Sequence, residues 1–260
     1  MIIICTKNCE SSIKEILKPL KDYPVILVDC SSDKTQKIAK KFENVTIIQD
    51  QGKGLAAARN IGLKALKKGK YVFFLGADNK ILPSDIERAI TFMDYEKSIV
   101  GMSFVTELET QKTYIQKAIN ARWKKRFKPG KTWVIGTPYI FRLKELKQFM
   151  FDEACGDADD ADLCNRMALA GWQFYRSGIV VKDVTIESLQ TLIERFRRYG
   201  KSDYEYYIKY SQEWNAGRKL KSFLHPLVCE WNWDIKYLPI TIFIIIQRYI
   251  GWLKEAKKCR

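Results

Sequence analysis

The chain has 260 residues, 47% of them hydrophobic, and a formal net charge of +15. That is enough apolar material for one large domain or two fused halves, and so basic a surface attracts phosphorylated ligands, anionic lipid or nucleic acid. A single histidine, His225, excludes His-rich metal sites and leaves any Ser-His-Asp triad one imidazole to use.

The seven cysteines, Cys5, Cys9, Cys30, Cys155, Cys164, Cys229 and Cys259, are scattered and form no Cys-x-x-Cys pair. That pattern argues against a zinc site or a disulfide framework and for a reducing cytoplasm. The run Met1 to Cys5 lacks the basic start and long apolar core of a signal peptide.

Ile2 to Cys5 reads as a buried strand. Ser12 opens a helix, with Glu15 three residues on as a capping box and Ile13, Ile16, Leu17 and Leu20 on its apolar face. Val25 to Val28 is the next strand, ended by Asp29, and a helix follows through Ile38, Ala39 and Phe42. Val45 to Ile48 is a third strand, Leu55 to Leu66 an Ala-rich helix, and Tyr71 to Leu75 a fourth strand. Pro83 starts a helix faced by Ile86, Ala89, Ile90 and Met93.

Apolar strands alternating with amphipathic helices predict an α/β fold, with a mostly parallel sheet covered on both faces. Right-handed crossovers put the strand C-termini along one edge, where ligands bind. The residues placed there are Thr6, Lys7 and Asn8, then Asp29, then Asp50, then Gly76, Ala77 and Asp78. Carboxylates at adjacent strand ends suit a ribose, a base or a divalent metal, although Asp and Asn also follow strands simply because they make turns.

Five segments in order resemble family 2 glycosyltransferases of the GT-A fold. Val28-Asp29-Cys30-Ser31-Ser32-Asp33-Lys34-Thr35 is similar to V-D-D-G-S-x-D-x-T, and Gly54 to Gly62, containing Ala58-Arg59-Asn60, is similar to G-x-x-x-A-R-N-x-G. Leu75-Gly76-Ala77-Asp78-Asn79 resembles L-D-A-D-D. Phe151-Asp152-Glu153 followed by Asp159-Asp160-Ala161-Asp162-Leu163-Cys164-Asn165-Arg166 resembles F-D-E and E-D-x-D-L-x-x-R. Arg195 to Gly200 is similar to the basic R-Y-G segment.

The resemblance implies a nucleoside diphosphate sugar donor, from UDP or GDP, and a hydroxyl acceptor that is lipid-linked or on a glycan. It implies that Asp29 and Arg59 hold the base or ribose, with Thr6, Asn8 and Ala77 along the same nucleotide-sugar edge. Asp78 is implied as a ligand of Mg²⁺ or Mn²⁺, and Arg195 and Arg198 as donors to the diphosphate. Asp160, with Asp159 beside it, matches the catalytic base, which gives inversion at the anomeric carbon. Three positions depart from the family: Gly76 replaces the first Asp of D-x-D, Asp159 replaces a Glu, and Asp183 stands where a His metal ligand is common. Gly76 keeps open a catalytically weak, nucleotide-binding homologue. A second alternative is transfer to a polyprenyl phosphate, which is already ionised and needs no base.

Gly52-Lys53-Gly54-Leu55-Ala56-Ala57 also fits the dinucleotide-binding G-x-G-x-x-A, but it follows the third strand rather than the first. Four acids at Asp157, Asp159, Asp160 and Asp162 exceed what capping a helix dipole requires. From Lys112 to Lys131 there are eight Lys or Arg and no acid, with Tyr114, Trp123 and Phe127 among them. This reads as a solvated helix face or as a contact with a phospholipid surface or a lipid-phosphate acceptor. Nucleic acid ranks last, because no binding module accompanies the charge. Tyr237 to Leu253 is apolar, but its core, Leu238 to Ile246, is shorter than the ~20 residues a span needs. Trp231, Trp233, Tyr249 and Trp252 suit a membrane interface or a packed helix. The expected organisation is a GT-A domain over 1–205 and a helical, membrane-interfacial tail over 206–260, in a protein of the cytoplasm or peripheral on the cytoplasmic membrane face.

Overall fold

A computed structural model describes residues 1–231 and 234–258; Trp233, Cys259 and Arg260 lie outside the described residues. The chain divides into two compact units, the first made of 1–109, 127–153 and 159–185 and the second of 110–126, 154–158 and 186–260. In chain order the elements are β1 (Ile2–Thr6), α1 (Ile13–Leu17), β2 (Val25–Asp29), α2 (Thr35–Ala39), β3 (Val45–Gln49), α3 (Leu55–Ala65), β4 (Tyr71–Gly76), β5 (Asn79–Lys80), α4 (Pro83–Tyr95) and β6 (Ile99–Leu108). Next come α5 (Tyr114–Arg126), β7 (Gly130–Thr132), β8 (Tyr139–Arg142), α6 (Leu143–Phe149), α7 (Asp159–Leu169), β9 (Gln173–Asp183), α8 (Leu189–Tyr210), α9 (Ala216–Phe223), α10 (His225–Glu230) and α11 (Leu238–Lys258).

The first unit is built on one sheet of order β3-β2-β1-β4-β8-β6-β9-β5, with β7 paired to β9. Strands β3, β2, β1 and β4 run parallel, while β8 is antiparallel to both its neighbours. Alternation along β1 explains the two layers of core. Ile2 and Ile4 pack with Ile13, Ile16, Ile86 and Met93, and Ile3 points the other way to Leu63, Leu163 and Met167. The order reverses at β1, so the C-terminal ends of β1, β2 and β4 open a crevice.

Two local expectations fail. The Ser12 hydroxyl makes no cap bond: its backbone lies in the helical region rather than the extended conformation of a capping residue, and the hydroxyl donates to the Ala77 carbonyl at 2.8 Å. Helix α2 stops at Ala39, and Phe42 packs on the core from beyond its end.

The second unit is helical. Helix α8 begins with a capping box in which Ser188 and Thr191 exchange bonds. It runs against α11 through a glycine crossing. A Cβ on Gly200 would overlap the Arg248 carbonyl, and one on Gly251 the Arg197 carbonyl. Glu230 is fully buried and takes ion pairs from Arg122, Arg126 and Arg248, and Arg248 also grips Asp203 at 2.5 and 2.7 Å. Two of the eight cations between Lys112 and Lys131 are therefore engaged by Glu230, Arg122 from within the unit and Arg126 from its surface. Trp123 is buried, and the Tyr114 hydroxyl donates to the Lys236 carbonyl. Among the described residues no helix is long and apolar enough to cross a membrane.

Candidate active site

Asp29 ends β2 fully buried and organises the crevice rather than lining it. Its carboxylate accepts from the Thr6 hydroxyl at 2.5 Å, the Ser31 N–H at 3.0 Å, the Ser31 hydroxyl at 2.6 Å and the Gln36 amide at 2.8 Å. Four donors use the acceptor capacity of one carboxylate. Asn8 ties the same two loops together, accepting from the Ser32 N–H at 2.9 Å while its own N–H donates to the Ser31 hydroxyl at 2.7 Å. Thr6, Asn8 and Asp29 are thus brought together, and the hydroxyl of Ser12 anchors Ala77 beside them.

Asp78 and Asp183 converge through the short β5–β9 ladder, in which Asn79 faces Asp183. Thr185 bridges them. Its N–H donates to Asp183 Oδ1 at 2.8 Å and its hydroxyl to Asp78 Oδ2 at 3.3 Å. Thr185 thus links two carboxylates, and carboxylate oxygens are the donors a hard divalent cation takes. Gly76 is required by this arrangement. A Cβ there would overlap Asp78 Oδ1 and come within 2.9 Å of Asn79 Oδ1, which already accepts the Gly76 N–H. The glycine that breaks D-x-D lets the second carboxylate lie over the backbone.

The third constellation joins α3, β8 and the start of α7. Arg59, on the buried face of α3, places one guanidinium nitrogen 2.5 Å from Asp159 Oδ2 and 2.8 Å from Asp160 Oδ1, and the other nitrogen 2.5 Å from the Thr137 hydroxyl. Burial works against its charge, but the two carboxylates outweigh burial and hold it protonated. Asp159 is buried to 1% and wholly engaged, since its other oxygen accepts the Asp160 N–H at 2.9 Å. The Asp160 side chain keeps 21% of its surface open and accepts the Tyr139 hydroxyl at 3.0 Å. Burial, with repulsion from Asp159, pushes its carboxyl up to about 7, although Arg59 and the Tyr139 hydrogen bond pull the other way. A carboxylate with proton affinity near neutrality suits general-base work.

Arg59, which the resemblance implies at the base or ribose, is paired with the acidic pair Asp159 and Asp160. Arg195 and Arg198, expected at the diphosphate, lie in the second unit and pair there with Glu187 and Asp157. Sequence reasoning missed Tyr139, Thr137 and Thr185. None belongs to a motif, and each is recruited by strand pairing or loop return. A pocket of about 240 Å³ beside β3 collects Asp50, Gln51, Lys53, Lys64 and Glu153.

Residues 1–152 match glycosyl transferase family 2. The chain is 31% identical over 112 residues to the poly(ribitol-phosphate) beta-N-acetylglucosaminyltransferase TarS of Staphylococcus aureus, covering 38% of this chain and 19% of TarS. It is 35% identical over 111 residues to the UDP-Glc:alpha-D-GlcNAc-diphosphoundecaprenol beta-1,3-glucosyltransferase WfaP of Escherichia coli, covering 39% of this chain and 44% of WfaP. The matches thus span less than half the length of either relative. Among solved structures, the mannosyltransferase PcManGT from Pyrobaculum calidifontis, in complex with GDP-Man and Mn²⁺, superposes with a TM-score of 0.64 at 17% identity, covering 98% of this chain and 74% of that one. The S. aureus TarS crystal structure gives 0.59 at 19% identity, covering 90% of this chain and 44% of that one. The fold is that of GT-A glycosyltransferases, with C-terminal helices, and the chain belongs to glycosyl transferase family 2.

Proposed function

We propose that the chain is an inverting hexosyltransferase that moves a sugar from a UDP- or GDP-sugar to a hydroxyl of a lipid-linked or glycan acceptor. The observation that carries this reading is the Asp160 carboxylate, partly exposed, braced by Arg59 and Tyr139 and lifted to about 7. Asp160 takes the proton of the acceptor hydroxyl as that oxygen bonds to the anomeric carbon. The bond from that carbon to the diphosphate breaks on the opposite face, and its electron pair leaves with the nucleoside diphosphate. One displacement inverts the configuration. Asp159 holds Arg59 and the Asp160 N–H and so positions the base.

The loops carrying Thr6, Asn8, Asp29 and Ala77 form the edge against which the nucleotide lies. Asp78 and Asp183 would hold Mg²⁺ or Mn²⁺, which when bound neutralises charge on the diphosphate. The relatives support the donor class: PcManGT holds GDP-Man with Mn²⁺, TarS has been solved in complex with UDP, and WfaP is named for UDP-Glc and a diphosphoundecaprenol acceptor. Within this reading, residues 1–205 are the transferase domain and 206–260 a helical tail, and the protein works peripherally at the cytoplasmic membrane face. A braced carboxylate base favours a hydroxyl acceptor over a polyprenyl phosphate, which needs none.

The test is sugar transfer from a panel of UDP- and GDP-sugars with Mn²⁺ to a lipid-linked acceptor. Asp160→Asn keeps the shape and removes the proton acceptor, so transfer falls by roughly 10²–10⁴-fold while donor affinity holds. Transfer at the wild-type rate by Asp160→Asn would remove the base from this account.

A further inference from the structure

Helices α9 and α10 are built unlike the helices around them. None of the residues of α9 is buried. Leu220, Phe223, Leu224, Leu227 and Val228 recur at helical spacing across the two helices, which join at Leu224 with that residue still in helical conformation. Such spacing puts them on one stripe, and they are 58%, 39%, 37%, 41% and 77% exposed. The same segment is cationic. Arg218, Lys219 and Lys221 lie on α9, and no Asp or Glu occurs between Trp214 and Cys229.

Two of the aromatic residues expected to anchor the tail, Tyr249 and Trp252, are instead used against α9. The Tyr249 hydroxyl donates to the Phe223 carbonyl at 2.9 Å, and the Trp252 ring packs edge-on against Tyr204 at 4.9 Å and Phe223 at 5.4 Å. Helix α11 supports α9 from within the unit, holding the Phe223 ring between Tyr249 and Trp252 and leaving Leu220 and Val228 the most exposed of the stripe.

We propose that α9–α10 docks the protein in the headgroup layer of an anionic bilayer. An apolar stripe of this size costs free energy while it faces water. Flanking cations without acids match one occupant that is apolar below and negative above, a phospholipid interface. The proposal deepens the lipid-linked acceptor reading and rests on it for its purpose; the docking itself is measured independently of sugar transfer.

The experiment is co-sedimentation of the full chain with vesicles of phosphatidylcholine alone or mixed with phosphatidylglycerol. The full chain binds the mixed vesicles, binds phosphatidylcholine alone more weakly, and is released by high salt. The double variant Leu220→Glu/Val228→Glu, at exposed positions outside the catalytic cluster, loses binding roughly tenfold or more while hydrolysing donor as the wild type does. The charge reversal Lys219→Glu/Lys221→Glu does the same. Wild-type protein left in the supernatant at low salt overturns the proposal, as does undiminished binding by Leu220→Glu/Val228→Glu. A dimer in light scattering that this variant dissociates overturns it in favour of a second copy as the occupant. Vesicle binding without sugar transfer would leave the docking standing and sink the catalytic reading.

Discussion

In the first unit one arginine, Arg59, faces two carboxylates, Asp159 and Asp160. In the second unit three arginines, Arg122, Arg126 and Arg248, surround the single carboxylate of Glu230. Both clusters are mostly buried, and both are made of the same two chemical groups. Burial pushes both carboxyls up, but the charge count decides the outcome. Asp160 ends at about 7, whereas the three guanidiniums more than offset burial at Glu230 and hold it down at about 2. Excess carboxylate makes a proton acceptor, and excess arginine makes a fixed charge that pins helices together. Ion pairing by itself therefore says little about role; stoichiometry and access say more.

Two substitutions sharpen that contrast beyond Asp160→Asn. The larger effect is expected from Glu230→Gln, which strands buried guanidiniums and should lower unfolding stability by about 3–5 kcal/mol in urea denaturation. The sign with pH follows from the depressed value. The Glu230 contribution is complete above its unfolded value of about 4.5 and is lost as pH falls toward about 2. Activity that depends on an ionised Asp160 is lost already below about 7, so loss of turnover and loss of this contribution fall in different pH ranges. A smaller effect belongs to Gly76→Asp. Restoring the family residue displaces the Asp78 carboxylate, so the Mn²⁺-dependent part of heat stabilisation by UDP or GDP should shrink toward that of Asp78→Ala. A tenfold loss of affinity removes about 1.4 kcal/mol of that stabilisation, or a few degrees in Tm. A gain in Gly76→Asp would show that the glycine is a defect rather than an adaptation.

Much of this was legible in the residues. The alternation of strand and helix as far as Met93 is local patterning, and the structure follows it to within a residue or two for β1 to β4 and α3. The family resemblance singled out Asp78 and Asp160, and Asp183 as a departure from it, as candidates. The partners were not legible, because they come from far along the chain. Arg59 reads as part of a loop-and-helix nucleotide motif, yet its buried face meets Asp159 one hundred residues on. Tyr139 reaches Asp160 only because β8 pairs antiparallel beside β4. Glu230 carries no sequence signal, since its three arginines sit on α5 and α11. The stripe on α9–α10 was readable from its spacing, but the more apolar tail drew the interfacial reading, and packing against α8 and α9 uses that tail's aromatic rings.

The central claim is that Asp160 is a base whose proton affinity is set by its cluster, and the pH dependence of kcat/KM for sugar transfer tests it most directly. A base works deprotonated, so kcat/KM should fall roughly tenfold per pH unit below an apparent value near 7. Tyr139→Phe removes a hydrogen bond that favours the carboxylate, so the acid limb should move to higher pH while the rate on the alkaline plateau changes little. An acid limb near the ordinary carboxylate value of about 4, unmoved by Tyr139→Phe, would contradict the account.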